Sequence, residues 1–258
     1  MSSVVVAAPG QSPQFQVERL ERLSCLAAGG VMIALVATGF RLFYLHALNA
    51  AGKPVTQPIA GLVYVHGILM TAWIIFFTVQ SSLIVRGNRS RHMKLGAAGV
   101  VLYSVIVLVG VATALLSEHY KPANANPPWG PERFLTVPLA AIFGFAILVG
   151  IGLLYRRKPA VHRPMMMLGT LSAVGAAIAR IGAIRQPFFH ASHGSLFGTN
   201  WAPVIVAAVL FGLLKLAVTR RWDRYYAIAF SIMALLVIAF AYASTTTWWY
   251  QLALLVRR

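Results

Sequence analysis

Apolar runs of about 20 residues, each closed by a short polar break, recur along this chain. Seven stretches carry the pattern, at about 25–47, 59–85, 94–117, 134–155, 165–184, 201–219 and 225–244. At about 1.5 Å of rise per residue, each is long enough to cross hydrocarbon as a helix. The pattern predicts an all-α integral membrane helix bundle with about seven transmembrane helices. Gly52 and Pro54 break the first connection, and Pro122, Asn124, Asn126, Pro127, Pro128, Gly130 and Pro131 fill the third. Residues 1–24 read as a cytoplasmic lead with a short amphipathic piece around Gln16–Arg22. They lack the charge and apolar length of a signal peptide. Residues 25–247 form the bundle, and 248–258 an interfacial tail opened by Trp248, Trp249 and Tyr250.

Composition agrees: 59% of the 258 residues are apolar and 10% charged, against about 25% charged in a soluble domain. Mean hydropathy is +0.75. No soluble core could hide that much apolar surface, so most of the chain takes lipid as its solvent.

The net charge of +17 comes from 22 Lys and Arg against 5 acids. These cations cluster between apolar runs, which is a topology signal rather than a nucleic-acid groove. Arg86, Arg89, Arg91 and Lys94 mark the second connection, Arg156, Arg157, Lys158 and Arg163 the fourth, and Lys215, Arg220, Arg221 and Arg224 the sixth. The alternate connections hold Lys53, Lys121, Arg133 and Arg185. The asymmetry predicts a cytoplasmic N-terminus and an outer C-terminus in a bacterial inner membrane, with Arg257 and Arg258 dissenting. A tail helix along the interface reconciles those two. A single cysteine, Cys25, leaves no intrachain disulfide and no thiolate cluster.

Candidate chemistry centres on histidine. His66, Met70, Trp73, Phe77 and Gln80 share one face of the second helix at 4-3-4-3 spacing. A polar ring at that depth needs a partner, so the face points into the bundle. His66 could be a hydrogen-bonded core residue, a haem or metal ligand, or part of a proton relay. Arg41 and Arg180 fall in the outer parts of predicted spans, with Glu118 at the outer end of the third. Two cations beside His66 would suit haem propionates, a quinone head group or a lipid phosphate.

His92 and His162 stand at inner helix starts, in His92-Met-Lys-Leu-Gly96 and His162-Arg-Pro-Met-Met-Met-Leu-Gly169. The two hairpins that contain them are a faint internal echo. Both rings could be interfacial anchors, or they could meet as a second ligand pair. Met165, Met166 and Met167 add thioethers suited to copper(I) or an axial haem position. On the outer side, His190 and His193 lie three apart, with Pro187 and Gly194 making a helix there uncertain, and His46 and His119 lie nearby. A metal set of His66, His190 and His193 is one reading. Five acids in the whole chain argue against a magnesium site or a carboxylate-driven pump. No lysine in 225–244 means no retinal Schiff base there.

The segments His66-Gly-Ile-Leu-Met70-Thr-Ala-Trp73, Gln80 and His92-Met-Lys-Leu-Gly96 resemble a family of uncharacterised bacterial polytopic membrane proteins. So do Phe134-Leu-Thr-Val-Pro138, His162-Arg-Pro-Met165 and Arg180. The likeness covers about 59–185 and implies a seven-helix fold. More distantly, the His66 segment is similar to the cytochrome b561 type of bundle, in which histidines on neighbouring helices clamp two b haems. That resemblance implies His66 and His92 as ligands. The fourth span has no histidine, which leaves at most one haem, with His46, His119, His190 and His193 as candidates for the second ligand of His66.

Three functions follow as expectations. The first is a haem b or other redox component exchanging electrons with a quinone or respiratory-chain partner. The second is a non-enzymatic subunit or copper-handling assembly factor. The third is a small transporter.

Overall fold

The structure, a computed structural model, describes residues 13–49, 52–54, 58–120 and 129–257. The expected N-terminal lead up to residue 12 and most of the Pro/Asn-rich third connection lie outside the described residues. Among the described residues twelve helices follow in order: α1 (Pro13–Gly39), α2 (Arg41–His46), α3 (Ala60–Val85), α4 (Arg89–His119), α5 (Pro131–Phe134), α6 (Thr136–Leu154), α7 (Pro159–Ile178), α8 (Gly182–Ala191), α9 (Leu196–Asn200), α10 (Ala202–Thr219), α11 (Arg224–Ala243) and α12 (Thr247–Arg257). No strand occurs among the described residues.

Six segments, on α1, α3, α4, α5–α6, α10 and α11, are long and apolar enough to cross a membrane. The pair α7 and α8 makes a seventh if it counts as one span, bent by 88°. The chain is a multi-pass membrane helix bundle. Local chemistry sets the helix starts. Asn88 caps α4 by accepting from the Arg91 amide, and Asp223 caps α11 by accepting from the Tyr225 and Tyr226 amides. Pro159 opens α7, where its missing N–H costs nothing.

The fifth span differs from its expected bounds of 165–184. It begins at Pro159, ends at Ile178 and turns sharply, so that Arg180 lies in the break and not inside a helix. The cause is the position of α7 at the centre, packed by α1, α6, α10 and α11. Most of its residues are buried against protein, including Leu168, Thr170, Leu171, Ser172 and Ala177. A helix enclosed by other helices need not be apolar toward lipid, so its ends escape a hydropathy reading. α1 presses closely on it: a methyl group added at Gly39 would lie 2.8 Å from Ala177 Cα and closer still to its carbonyl oxygen. Small residues at such crossings let backbones approach.

Ion pairs tie both ends of the bundle. At the basic end, Glu21 of α1 meets Arg163 of α7 at 2.8 Å and Lys215 of α10 at 3.8 Å, and Lys215 also pairs with Asp223. At the far end, α12 lies across α4 and α5. Arg257 contacts Glu132 at 2.5 Å and Glu118 at 3.8 Å, and the Trp249 indole donates to the Glu132 carbonyl. The tail is therefore an amphipathic helix docked on the bundle, with Trp249 buried and Trp248 and Tyr250 exposed.

Candidate functional site

A cavity of about 500 Å³ opens at the far end between α1, α2, α3, α4, α6 and the end of α7. His66, in the second turn of α3, lies on its wall with Met70 one turn below. Gly110 of α4 lets α6 close beside the ring: a methyl group there would lie 2.6 Å from Ile142 Cδ1 of α6 and, at ordinary contact distance, 3.6 Å from His66 Cε1. Gly67 similarly admits the Phe43 ring and holds α2 against α3. The His66 ring is half-buried, and its Nδ1 is buried without a hydrogen-bond partner. A buried imidazole nitrogen without a partner costs about 1–3 kcal/mol, a cost that a bound group would relieve.

Both arginines expected near His66 also line this cavity. Arg180 donates from Nη1 to the Ala176 carbonyl at 2.6 Å, and its guanidinium sits 4.6 Å from the Phe40 ring centre. Arg41 lies one residue past Phe40 and is exposed. Neither forms an ion pair among the described residues. All five acids of the chain pair elsewhere: Glu18 with Arg22, Glu21 with Arg163, Asp223 with Lys215, and Glu118 and Glu132 with Arg257. Glu118, 2% exposed, also lines the cavity. It faces Arg257 at 3.8 Å from outside the wall and forms no ion pair with Arg41 or Arg180 among the described residues. The Tyr44 and Thr71 hydroxyls meet at 2.6 Å, and Thr71 donates onward to the Gly67 carbonyl. Such a chamber suits a flat or amphiphilic molecule whose head carries acceptor oxygens.

The other histidines are placed elsewhere. His119 gives its Nδ1 to the Val256 carbonyl at 3.0 Å and anchors α12. His46 is exposed at the end of α2, and His190 and His193 are exposed at the end of α8 and just beyond it. None of these four lines the cavity. His190 and His193 do not join His66, and no second histidine faces it there. The stretch around Pro187 is helical up to Ala191, with His193 at φ +49° in the turn that follows.

His92 and His162 do come together at the basic end, with ring centres 6.4 Å apart and planes at 84°. The His92 Nδ1 lies 3.3 Å from the Gln80 carbonyl, and the His162 Nδ1 lies 2.8 Å from that of Gly152. Each ring is thus tied to the preceding helix of its own hairpin, which gives the sequence echo a structural counterpart. His66 and His92 do not share a site. His92 adjoins Gln80, which lies about 21 Å from residue 66 along α3 at about 1.5 Å per residue. Sequence reasoning missed the backbone ties, the role of Gly110 and the Tyr44–Thr71 pair. The small residue at Gly110, facing a polar ring across a helix contact, was the available signal.

No family model, curated protein or solved structure matches this chain.

Proposed function

We propose that this protein is a quinone-binding redox component of a bacterial inner membrane, with the twelve-cation end in the cytoplasm. The observation that carries this reading is the unpartnered His66 Nδ1 in a cavity also lined by two arginines that form no ion pair among the described residues. A quinone head offers two carbonyl oxygens. The imidazole N–H and a guanidinium can each donate to one, and Phe40 and Phe43 add aromatic lining beside the quinoid ring. A volume near 500 Å³ falls in the range of small-molecule sites, about 300–1,000 Å³.

A haem b on His66 is the second reading. It is favoured by the free ring nitrogen and weakened by the lack of a second histidine on the wall. One preparation distinguishes the two. The protein purified in mild detergent is extracted for quinones, and its absorption spectrum is recorded after expression with ample haem. Co-purifying quinone that disappears in His66→Leu supports the first reading. A Soret band that disappears in the same variant replaces it with the second. Neither quinone nor haem, with no saturable uptake of added short-chain quinone, overturns both.

A further inference from the structure

The His92–His162 pair lies away from the His66 cavity and is used by nothing above. A carbonyl can only accept, so the ties from Gln80 and Gly152 make both neutral rings Nδ1–H tautomers. Each ring then presents a bare lone pair at Nε2, which points away from its carbonyl. Neither Nε2 has a protein partner among the described residues. A third acceptor adjoins them. The Gln80 amide nitrogen donates to the His92 carbonyl at 3.3 Å, which fixes the amide orientation and leaves Oε1 buried without a partner. Two ring lone pairs cannot satisfy one another, but a cation between them satisfies both.

We infer that His92 and His162 hold one copper(I) ion between their Nε2 atoms. Two metal–nitrogen bonds of about 2 Å, plus roughly 1 Å from each nitrogen to its ring centre, put the centres about 6 Å apart. The observed 6.4 Å between ring centres is compatible with that span. Metal-bound histidines generally give their other N–H to a carbonyl or carboxylate, and both rings already do.

Three features choose the ion. Met166 lies four residues after His162 on the same helical face. Its sulfur packs against Gly152, where an added methyl group would lie 2.9 Å away. Gly152 is the residue whose carbonyl ties His162, so a soft thioether lies near that ring, on the side of its tied Nδ1. No group of three His, Cys, Asp or Glu side chains gathers anywhere among the described residues, so a four-coordinate zinc shell is not built. Arg89 lies three residues before His92, and the repulsion it imposes grows with the charge of the ion. A monovalent ion of low coordination number fits best. Neither ring lines the His66 cavity, so the pair is a site of its own.

The test uses the full chain in detergent, loaded anaerobically with copper(I) and titrated with a chromogenic copper(I) chelator. One copper per chain is expected, with affinity falling more than roughly 100-fold in His92→Gln and in His162→Gln, beyond what loss of an outer-shell partner gives. His66→Leu should bind copper as the wild type does, which separates this site from the cavity. If the histidine variants fail to fold, X-ray absorption of the loaded wild type decides alone: two nitrogen neighbours, with or without one sulfur, are expected. Absence of stoichiometric copper, copper retained in the double variant, or a shell without imidazole overturns the assignment.

Discussion

The indole N–H of Trp73 on α3 donates to the Thr170 hydroxyl on α7 at 3.1 Å, deep inside the bundle. Phe145 packs edge-on against the same indole at 5.0 Å, so α3, α6 and α7 meet at one ring. Thr170→Val keeps the shape and removes the acceptor. Thermal unfolding in detergent should show a loss of about 1 kcal/mol, the usual size of such bonds between membrane helices. No loss would mean that the two groups contribute packing alone.

His66→Leu tests the cavity from the opposite direction. The change removes a buried nitrogen that has no partner, so the unliganded protein should be as stable as the wild type or slightly more so. Affinity for a quinone analogue should fall by roughly tenfold or more, equivalent to about 1.4 kcal/mol. Quenching of tryptophan fluorescence during titration reads the binding.

Glu21 is the hub of the basic end, since Arg163 and Lys215 both face it. With the three side chains only 11–26% exposed, Glu21→Gln leaves two cations short of a carboxylate. A loss on the order of 2–3 kcal/mol is expected from breaking one partner of a partly buried network. Arg22→Ala, which breaks the exposed pair with Glu18, should cost less than about 1 kcal/mol. Comparing the two melting temperatures checks both.

Gly39→Ala should be among the most damaging conservative changes in the chain. The added methyl group meets the Ala177 backbone, which cannot rotate away. Gly30→Ala, on the same helix with nothing within 4 Å, serves as the control. Yield of monodisperse protein after extraction should drop only for the first.

Much of this architecture was legible in the sequence because lipid imposes a simple rule on length and polarity. The face carrying His66, Met70, Trp73, Phe77 and Gln80 was readable from spacing, and the structure buries its Trp73, Phe77 and Gln80. The ends of α7 were not readable, because hydropathy measures preference for lipid and α7 meets protein on nearly every side. Proximity of His92 to His162 was readable only as one option. Their ties to Gln80 and Gly152 depend on how closely each hairpin closes, which no spacing encodes. The solitary position of His66 was equally hidden. His46, His119, His190 and His193 share its end of the bundle, but lateral helix order decides which rings face it.

The helical cap formed by α12 bears on how solvent reaches the far end. Arg257 is held by Glu132 and Glu118, and Glu118 belongs to the cavity wall. Removal of 247–258 should therefore expose the Glu118 carboxylate and make the far end a substrate for added protease. Limited proteolysis of the truncated and intact chains measures this, and identical cleavage patterns would show that α12 shields nothing.

The central placement of α7 also bears on how the protein is made. Taken alone, that helix carries His162, Arg163 and Pro164 near its start and a run of small residues near its end, a poor substrate for partition into a bilayer. Its most extensive neighbour is α6, which precedes it directly and is almost wholly apolar. The lipid-compatible arm of this hairpin thus stands directly before the arm that most needs protein around it.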